Sequence, residues 1–86
     1  MAETHNELLI CSLDVWGNEE DGYEVNAAYS TGITLLAEMD DEYYYRQVRN
    51  YFPHLPPFEI KWQDEKTADI DCRKTGKPLL NIQERY

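Results

Sequence analysis

Three kinds of side chain in this sequence could carry out chemistry: carboxylates, histidines and cysteines. Two carboxylates in one pocket could act as general acid and base if their surroundings separate their pKa values. With 17 carboxylates in 86 residues, however, many pairs arise by accident, so pairing alone predicts no catalytic site. Neither His5 nor His54 has an identifiable nucleophile nearby in sequence. We therefore expect no catalytic residue and no enzyme activity.

The cysteines and the acidic turn at residues 17–22 are the candidate metal ligands. Cys11 and Cys72 fall at apolar positions of predicted strands, so we expect reduced, buried thiols rather than reactive ones. A calcium loop of the EF-hand type needs an oxygen ligand first and glycine sixth, but placing Gly22 sixth puts Gly17 first. A looser oxygen-ligand site is the alternative to a solvated turn. We predict no metal and no cofactor.

Charge is distributed very unevenly along the chain. The first 45 residues contain eleven carboxylates and no lysine or arginine, and the first base is Arg46. The remaining residues carry eight bases and six acids, so the two parts have charges of −11 and +2 within a total of −9. Charge of one sign over one region selects partners and speeds their encounter. It disfavours direct binding to nucleic acid or to anionic membranes, because phosphates are repelled.

Length and composition predict a single domain, residues 1–86, with one modest core. A hydrophobic fraction of 42% that includes eleven aromatic residues argues against global disorder. No apolar run approaches the ~20 residues of a membrane span. The first seven residues lack the basic start and apolar stretch of a secretion signal. We expect a cytoplasmic location.

Alternating apolar residues predict strands on both sides of one helix. In the first strand, residues 7–16, four alternate side chains are expected to face the core: Leu9, Cys11, Leu13 and Val15. The same alternation predicts five further strands, at residues 23–29, 33–37, 58–63, 68–73 and 79–83.

A helix is predicted to begin at Asp40, whose carboxylate can accept the free amides of the first turn. Asp41 and Glu42 suit the positive end of the helix dipole, and Pro53 ends the helix. The predicted order is β-β-β-α-β-β-β. This is an α+β fold in which one helix packs on one face of an antiparallel sheet of five to six strands.

These elements place six of the acids in two loops. We predict that they are the charge-bearing contacts with a partner: Glu19, Glu20 and Asp21 at the hairpin tip, and Asp40, Asp41 and Glu42 at the helix start. A continuous anionic ridge forms if the two clusters meet in space, which sequence alone does not decide.

Two aromatic residues beside these clusters are candidate interface anchors. Helical spacing allows Tyr44 and Tyr45 to face the core while Tyr43 points outward, so Tyr43 either packs on the helix or contacts a partner. Trp16 has the opposite parity to the predicted core residues of its strand. We expect it to be exposed on the second sheet face, with the same two roles open.

The stretch DVWGNEEDGYEVN, residues 14–26, resembles a signature found in small phage-encoded open reading frames and covers thirteen of the 86 residues. The chain is also short, single-domain, acidic and without catalytic motifs. In type it is similar to phage antidefence proteins, including anti-CRISPR proteins, several of which imitate DNA. The resemblance implies an inhibitor in the cytoplasm of a bacterial host, and it assigns no role to an individual residue.

Taken together, these features predict a small acidic protein-binding module that occupies the basic groove of a host nucleic-acid-binding protein. Rigidly held carboxylates could take the place of phosphates there. One alternative is a self-associating structural or accessory phage protein, such as a homodimer, because sheet edges pair. Another is a binder of single-stranded nucleic acid that stacks bases on tyrosines, which would need a basic groove.

Overall fold

A computed structural model describes residues 7–84, so Glu3 and His5 lie outside the described residues. Six elements follow one another: β1 (Glu7–Asn18), β2 (Gly22–Leu36), α1 (Asp41–Tyr51), β3 (Phe58–Asp64), β4 (Thr67–Cys72) and β5 (Pro78–Glu84). The strands form one antiparallel sheet in the order β2-β1-β5-β4-β3.

The antiparallel α+β arrangement is confirmed, but the predicted element order was wrong. The order is β-β-α-β-β-β, because the predicted third strand at residues 33–37 is largely the end of β2. The break expected before it is a bulge. The Thr31 hydroxyl donates to the Ile10 carbonyl at 2.7 Å and accepts the Ile33 amide at 3.2 Å. These bonds occupy backbone groups that the ladder leaves unpaired, so the strand continues.

A single core lies between α1 and one face of the sheet. The helix contributes Tyr44 and Val48 to it. Every strand contributes to the opposite wall, through Leu8, Ile10, Leu35, Phe58, Ala68, Ile70, Leu80 and Ile82. Because the described residues bury no charged side chain, apolar contact holds the helix on the sheet.

The predicted core face of β1 was wrong by one residue. Leu8 and Ile10 are fully buried in the core with the helix, and strand alternation turns Leu9 and Cys11 to the other side. Four consecutive apolar residues, 8–11, fit either parity, so alternation could not choose between them. Both cysteines are nevertheless buried free thiols, as predicted.

The predicted helix boundaries are confirmed. The Asp40 carboxylate caps α1 by accepting the Tyr43 amide at 2.9 Å. At the other end, the Phe52 amide donates to the Val48 carbonyl just before Pro53. Within the part of the chain that the structure describes, no helix is long and apolar enough to cross a membrane.

The β1–β2 hairpin extends well past the rest of the sheet. β1 pairs with β5 only as far as Ser12, whereas its pairing with β2 continues to Asn18. Residues 13–28, which we call the ribbon, therefore have no third strand beside them among residues 7–84. At about 3.3 Å per residue the ribbon projects roughly 20 Å. The described residues together measure 52 × 24 × 21 Å.

Replacing Phe58 with alanine should destabilise the fold by about 3–5 kcal/mol, the usual cost of removing a fully buried aromatic side chain. The Phe58 ring stacks on Tyr45 at 4.4 Å and lies 4.8 Å from the guanidinium of Arg49. Urea unfolding measures the change. Tyr51→Ala is the control, because Tyr51 is 52% exposed on the same helix and should change stability by about 0.5 kcal/mol or less. Equal losses in the two variants would contradict this placement of the core.

Candidate functional site

The ribbon combines projection with charge of one sign. It contains no lysine or arginine and five exposed carboxylates: Asp14, Glu19, Glu20, Asp21 and Glu24. None of the ion pairs found within residues 7–84 involves these acids. The ribbon is thus a narrow, water-exposed surface whose charges have no ion-pair partner in the described structure.

The tip of the ribbon is shaped by glycine and asparagine. The Asn18 side chain accepts the Asp21 amide at 2.8 Å and closes the turn. Gly17 and Gly22 have φ values of +104° and +90°, a region that favours glycine. A Cβ atom at Gly17 would lie 2.1 Å from the Gly22 carbonyl oxygen, so no other residue fits there without movement. This turn presents the predicted tip acids at the apex of the hairpin.

Trp16 is the largest exposed side chain of the ribbon. Its exposure of 66% confirms the predicted solvent contact, but the predicted face was wrong. Strand alternation places Trp16 on the same side of β1 as the core residues Leu8 and Ile10. Trp16 lies in the ribbon, past the part of the sheet on which the helix packs. It stands opposite Glu24, and Asp14 accepts a bond from the Asn26 amide group at 3.1 Å. One ribbon face therefore carries an aromatic ring between two carboxylates.

The acids at the helix start have structural roles. Asp40 is the N-cap described above, and Asp41 lies in the first turn, where the helix dipole stabilises it. Glu42 forms an ion pair with Arg46 at 2.8 Å, one turn along the helix. All three acids are exposed, but this cluster is partly neutralised and belongs to the helix.

The predicted orientations of Tyr43 and Tyr45 were reversed. Tyr43 is half-buried: its hydroxyl accepts the Leu36 amide at 3.1 Å, and its ring meets Tyr44 edge-on at 5.1 Å. Tyr45 is the exposed member, with its hydroxyl donating to the Phe58 carbonyl at 2.5 Å. Tyr44 donates to the Leu36 carbonyl at 2.8 Å, and burial raises the pKa of its hydroxyl. Tyr43 therefore connects the helix to β2 rather than pointing outward.

The two predicted acidic clusters do not meet. The tip acids precede Gly22, where β2 begins, and the helix-start acids follow Leu36, where β2 ends. β2 pairs with β1 from Gly22 opposite Asn18 to Leu36 opposite Glu7, so eleven steps of extended strand separate these points by about 36 Å. Interactions between exposed charges fade over about 10 Å at 0.1 M salt, so the clusters act independently. The continuous anionic ridge considered from the sequence does not form.

Three of the basic residues of the back half lie near the root of the ribbon. Leu80 pairs with Ser12 at the root of the ribbon, so the β4–β5 turn, residues 73–77, also lies near that root. This turn contains Arg73, Lys74 and Lys77. The separation of charge along the sequence is therefore not a separation into two halves of the molecule.

The end opposite the ribbon contains a second acidic surface. A groove there has Tyr44 and Trp62 in its wall, with their rings 4.9 Å apart, and carboxylates around it: Glu38, Asp41, Asp64 and Glu65. Lys66 lies near this end and donates to Glu84 at 3.0 Å, a bond that raises the pKa of the lysine. No local sequence pattern indicates this groove, because its acids come from two segments that are more than twenty residues apart.

The sheet face opposite the helix carries partly buried charge. Burial raises the pKa of Asp71, neighbouring Asp69 raises it further, and Lys61, 3.9 Å away, opposes the shift. Within residues 7–84, no group of three or more histidine, cysteine, aspartate or glutamate side chains could hold a metal ion.

Sequence reasoning identified the tip acids and Trp16 but missed Asp14 and Glu24 as members of the same surface. A usable signal was present, because Asp14 lies three residues before the predicted turn and Glu24 two residues after it, and strand alternation flanks that turn. No protein-family model matches the chain, and comparisons with curated proteins and with solved structures found no match.

Replacing Gly17 with alanine should disorder the ribbon, because the new methyl group collides with the backbone of Gly22. Strain of about 1–3 kcal/mol should raise amide exchange rates across residues 14–26 at least about tenfold, as measured by NMR. Gly32→Ala is the control: it also has a positive φ, of 80°, but no atom lies within 4 Å of the added group. Ribbon exchange that stays at the wild-type rate in Gly17→Ala would refute the tip geometry.

Asp71→Asn should stabilise the protein at pH 7 by less than about 1 kcal/mol, because solvent screens a partly exposed carboxylate. The pKa of Asp71 is higher in the folded state than in the unfolded state, where it lies near 3.8. Wild-type stability should therefore fall as the pH rises from the unfolded-state pKa through the folded-state pKa. The difference between variant and wild type should therefore vanish below that window. Urea unfolding at several pH values tests this, with Glu20→Gln at the solvated tip as the control. A constant difference at every pH would contradict it.

Proposed function

We propose that this protein is a small binding module that inserts its acidic ribbon into the basic nucleic-acid-binding groove of another protein and excludes nucleic acid from it. The observation that supports this most is the ribbon itself, residues 13–28, with five exposed carboxylates and no base. By the resemblance at residues 14–26, it acts as a phage-type inhibitor in the bacterial cytoplasm, similar in type to anti-CRISPR proteins. No enzymatic step, cofactor, membrane or direct nucleic-acid contact is part of this function.

The density of charge favours imitation of one strand rather than of a duplex. Five carboxylates over roughly 20 Å give about one charge per 4 Å, whereas duplex DNA has one per 1.7 Å and each strand one per 3.4 Å. A two-stranded ribbon is also much narrower than a duplex. Protein grooves that bind single-stranded nucleic acid combine basic side chains with aromatic side chains on which nucleobases stack. Trp16 could stack on such an aromatic side chain in place of a nucleobase.

The helix-start acids are not needed for this contact. They lie about 36 Å from the ribbon tip along the hairpin, beyond the reach of electrostatic coupling at physiological salt. Asp40 caps the helix and Glu42 pairs with Arg46. We assign the partner contact to the ribbon acids and Trp16, and a structural role to Asp40, Asp41, Glu42 and Tyr43.

Neutralising the ribbon should abolish partner binding. A variant with Asp14 and Asp21 changed to Asn and with Glu19, Glu20 and Glu24 changed to Gln should lose capture of a nucleic-acid-binding protein from bacterial lysate. Wild-type capture should weaken with added salt, because charge steers and holds the complex. The captured protein is then tested for displacement of a labelled oligonucleotide, with single-stranded and duplex forms compared.

The matched control neutralises the helix start with Asp40→Asn, Asp41→Asn and Glu42→Gln, which removes three charges but keeps an N-cap residue. It should capture the partner as the wild type does. The proposed function would be contradicted if the ribbon variant captured as much partner as the wild type does. It would also be contradicted if the partner, saturated with this protein, still bound its oligonucleotide. A gel shift showing direct oligonucleotide binding would favour the stacking alternative.

A further inference from the structure

β2 is an edge strand of unusual length and neutrality. It runs for fifteen residues at one side of the sheet, and among the described residues no strand pairs with its outer edge. From Val25 to its end at Leu36 it contains no charged residue and no proline. Three large apolar side chains along it are exposed: Val25, Tyr29 and Leu36. Unpaired backbone groups flanked by such side chains are a template for another strand.

The opposite edge of the sheet is protected in the ways that edges usually are. β3 has seven residues, follows two consecutive prolines and carries Lys61 near its centre. Short strands, prolines and lysines each discourage strand addition. The contrast between the two edges of one sheet indicates that β2 is kept available for pairing.

Bulges on β2 define where pairing can occur. The ladder with β1 shifts register near Asn26 and between Ser30 and Thr34. At the second bulge, the Ser30 hydroxyl accepts the Gly32 amide at 3.1 Å, and the Thr31 hydroxyl accepts that of Ile33. Those amides are already bonded. Between the bulges, residues 27–30 pair regularly with β1, so their outward backbone groups form a flat, open segment.

The charges at the two ends of β2 select what can pair with it. The tip acids and Glu24 lie at its start, and Glu38, Asp40 and Asp41 follow its end, with no lysine or arginine among residues 7–45. A second copy pairing antiparallel about Tyr29 would place the tip acids of each copy beside the acids after β2 of the other. Like charges so placed oppose self-pairing.

We propose that β2 binds, by strand addition at residues 27–30, an extended segment of another protein that is uncharged in its middle and basic at both ends. Backbone hydrogen bonds supply affinity in this mode, and flanking side chains supply specificity. Lysine or arginine at the ends of the segment meets the acids at the two ends of β2. The inference does not rest on the proposed function, because it needs neither a nucleic-acid-binding partner nor insertion of the tip into a groove.

A synthetic peptide tests the proposal directly. The probe is a fluorescein-labelled peptide that begins and ends with two lysines and has three threonines alternating with three valines between them. Fluorescence anisotropy measures its binding. We expect saturable binding, at least about tenfold weaker when glutamates replace the lysines. A peptide that is N-methylated at two central residues should also bind at least about tenfold more weakly. The amides of these two residues point to opposite edges of the extended peptide, so one of them faces β2 whichever edge pairs. In NMR exchange experiments on the wild type, saturation should slow alternate amides of residues 27–30 at least about tenfold and leave those of β3 unchanged.

Two neighbouring variants locate the contact on the protein. Adjacent amides of a regular strand point to opposite edges, so one of Ala27→Pro and Ala28→Pro breaks a bond to β1 and the other alters only the outer edge. The variant that keeps the wild-type melting temperature should lose peptide binding. The proposal is overturned by absence of peptide binding, by equal binding of the glutamate peptide, or by protection of β3 instead of β2. Concentration-dependent self-association that protects the same amides without peptide would also overturn it, in favour of a homodimer.

Discussion

The length of α1 determines how much of this sheet can be buried. Eleven helical residues span about 16 Å, whereas the hairpin of β1 and β2 extends for about 36 Å. The helix can therefore cover only the part of the sheet where all five strands lie side by side. The core residues cluster there, and the two longest strands continue beyond it as an uncovered hairpin. The body and the ribbon are thus two consequences of one mismatch in length.

That mismatch also explains the arrangement of charge. An antiparallel hairpin carries the chain away from the body and returns it, so acids that are close in sequence end at opposite ends of the molecule. The back half then builds β3, β4 and β5, and the turn between β4 and β5 places three bases near the ribbon root. A sequence with one acidic half and one mildly basic half therefore folds with acids at both ends of the molecule and three of its bases near the ribbon root. Electrostatic arguments about this protein consequently concern local surfaces rather than one molecular dipole.

Signals that depend on neighbouring residues were predicted correctly from the sequence. The N-cap at Asp40 and the helix end before Pro53 are local chemistry, and both are confirmed. The alternation of Ala68, Ile70 and Cys72 identified β4, because polar residues between them leave only one possible core face. In each case a few consecutive residues contain all the information that is needed.

Features that depend on distant contacts were not predictable in this way. The apolar run at residues 8–11 has no preferred parity until its partner strands and α1 choose one. Helical spacing allowed Tyr45 rather than Tyr43 to face the core, but the Tyr43 hydroxyl accepts the Leu36 amide, and Tyr43 is the half-buried residue. In the sequence, the break before Gly32 resembles the end of a strand. The strand continues because Thr31 bonds to Ile10, 21 residues away, and no local pattern reveals that bond. The separation of the two acidic clusters follows only from the full length of β2.

The ribbon lies outside the core, and this has a consequence for how the protein can change over time. Beyond Ser12 the hairpin contributes no residue to the core cluster, so substitutions of its side chains carry little penalty for the fold. Selection can therefore redesign the contact surface one residue at a time, while the body stays intact and only the glycines of the turn remain constrained. In such a protein the contact residues can change as the binding partner changes, while the core residues and the fold stay the same.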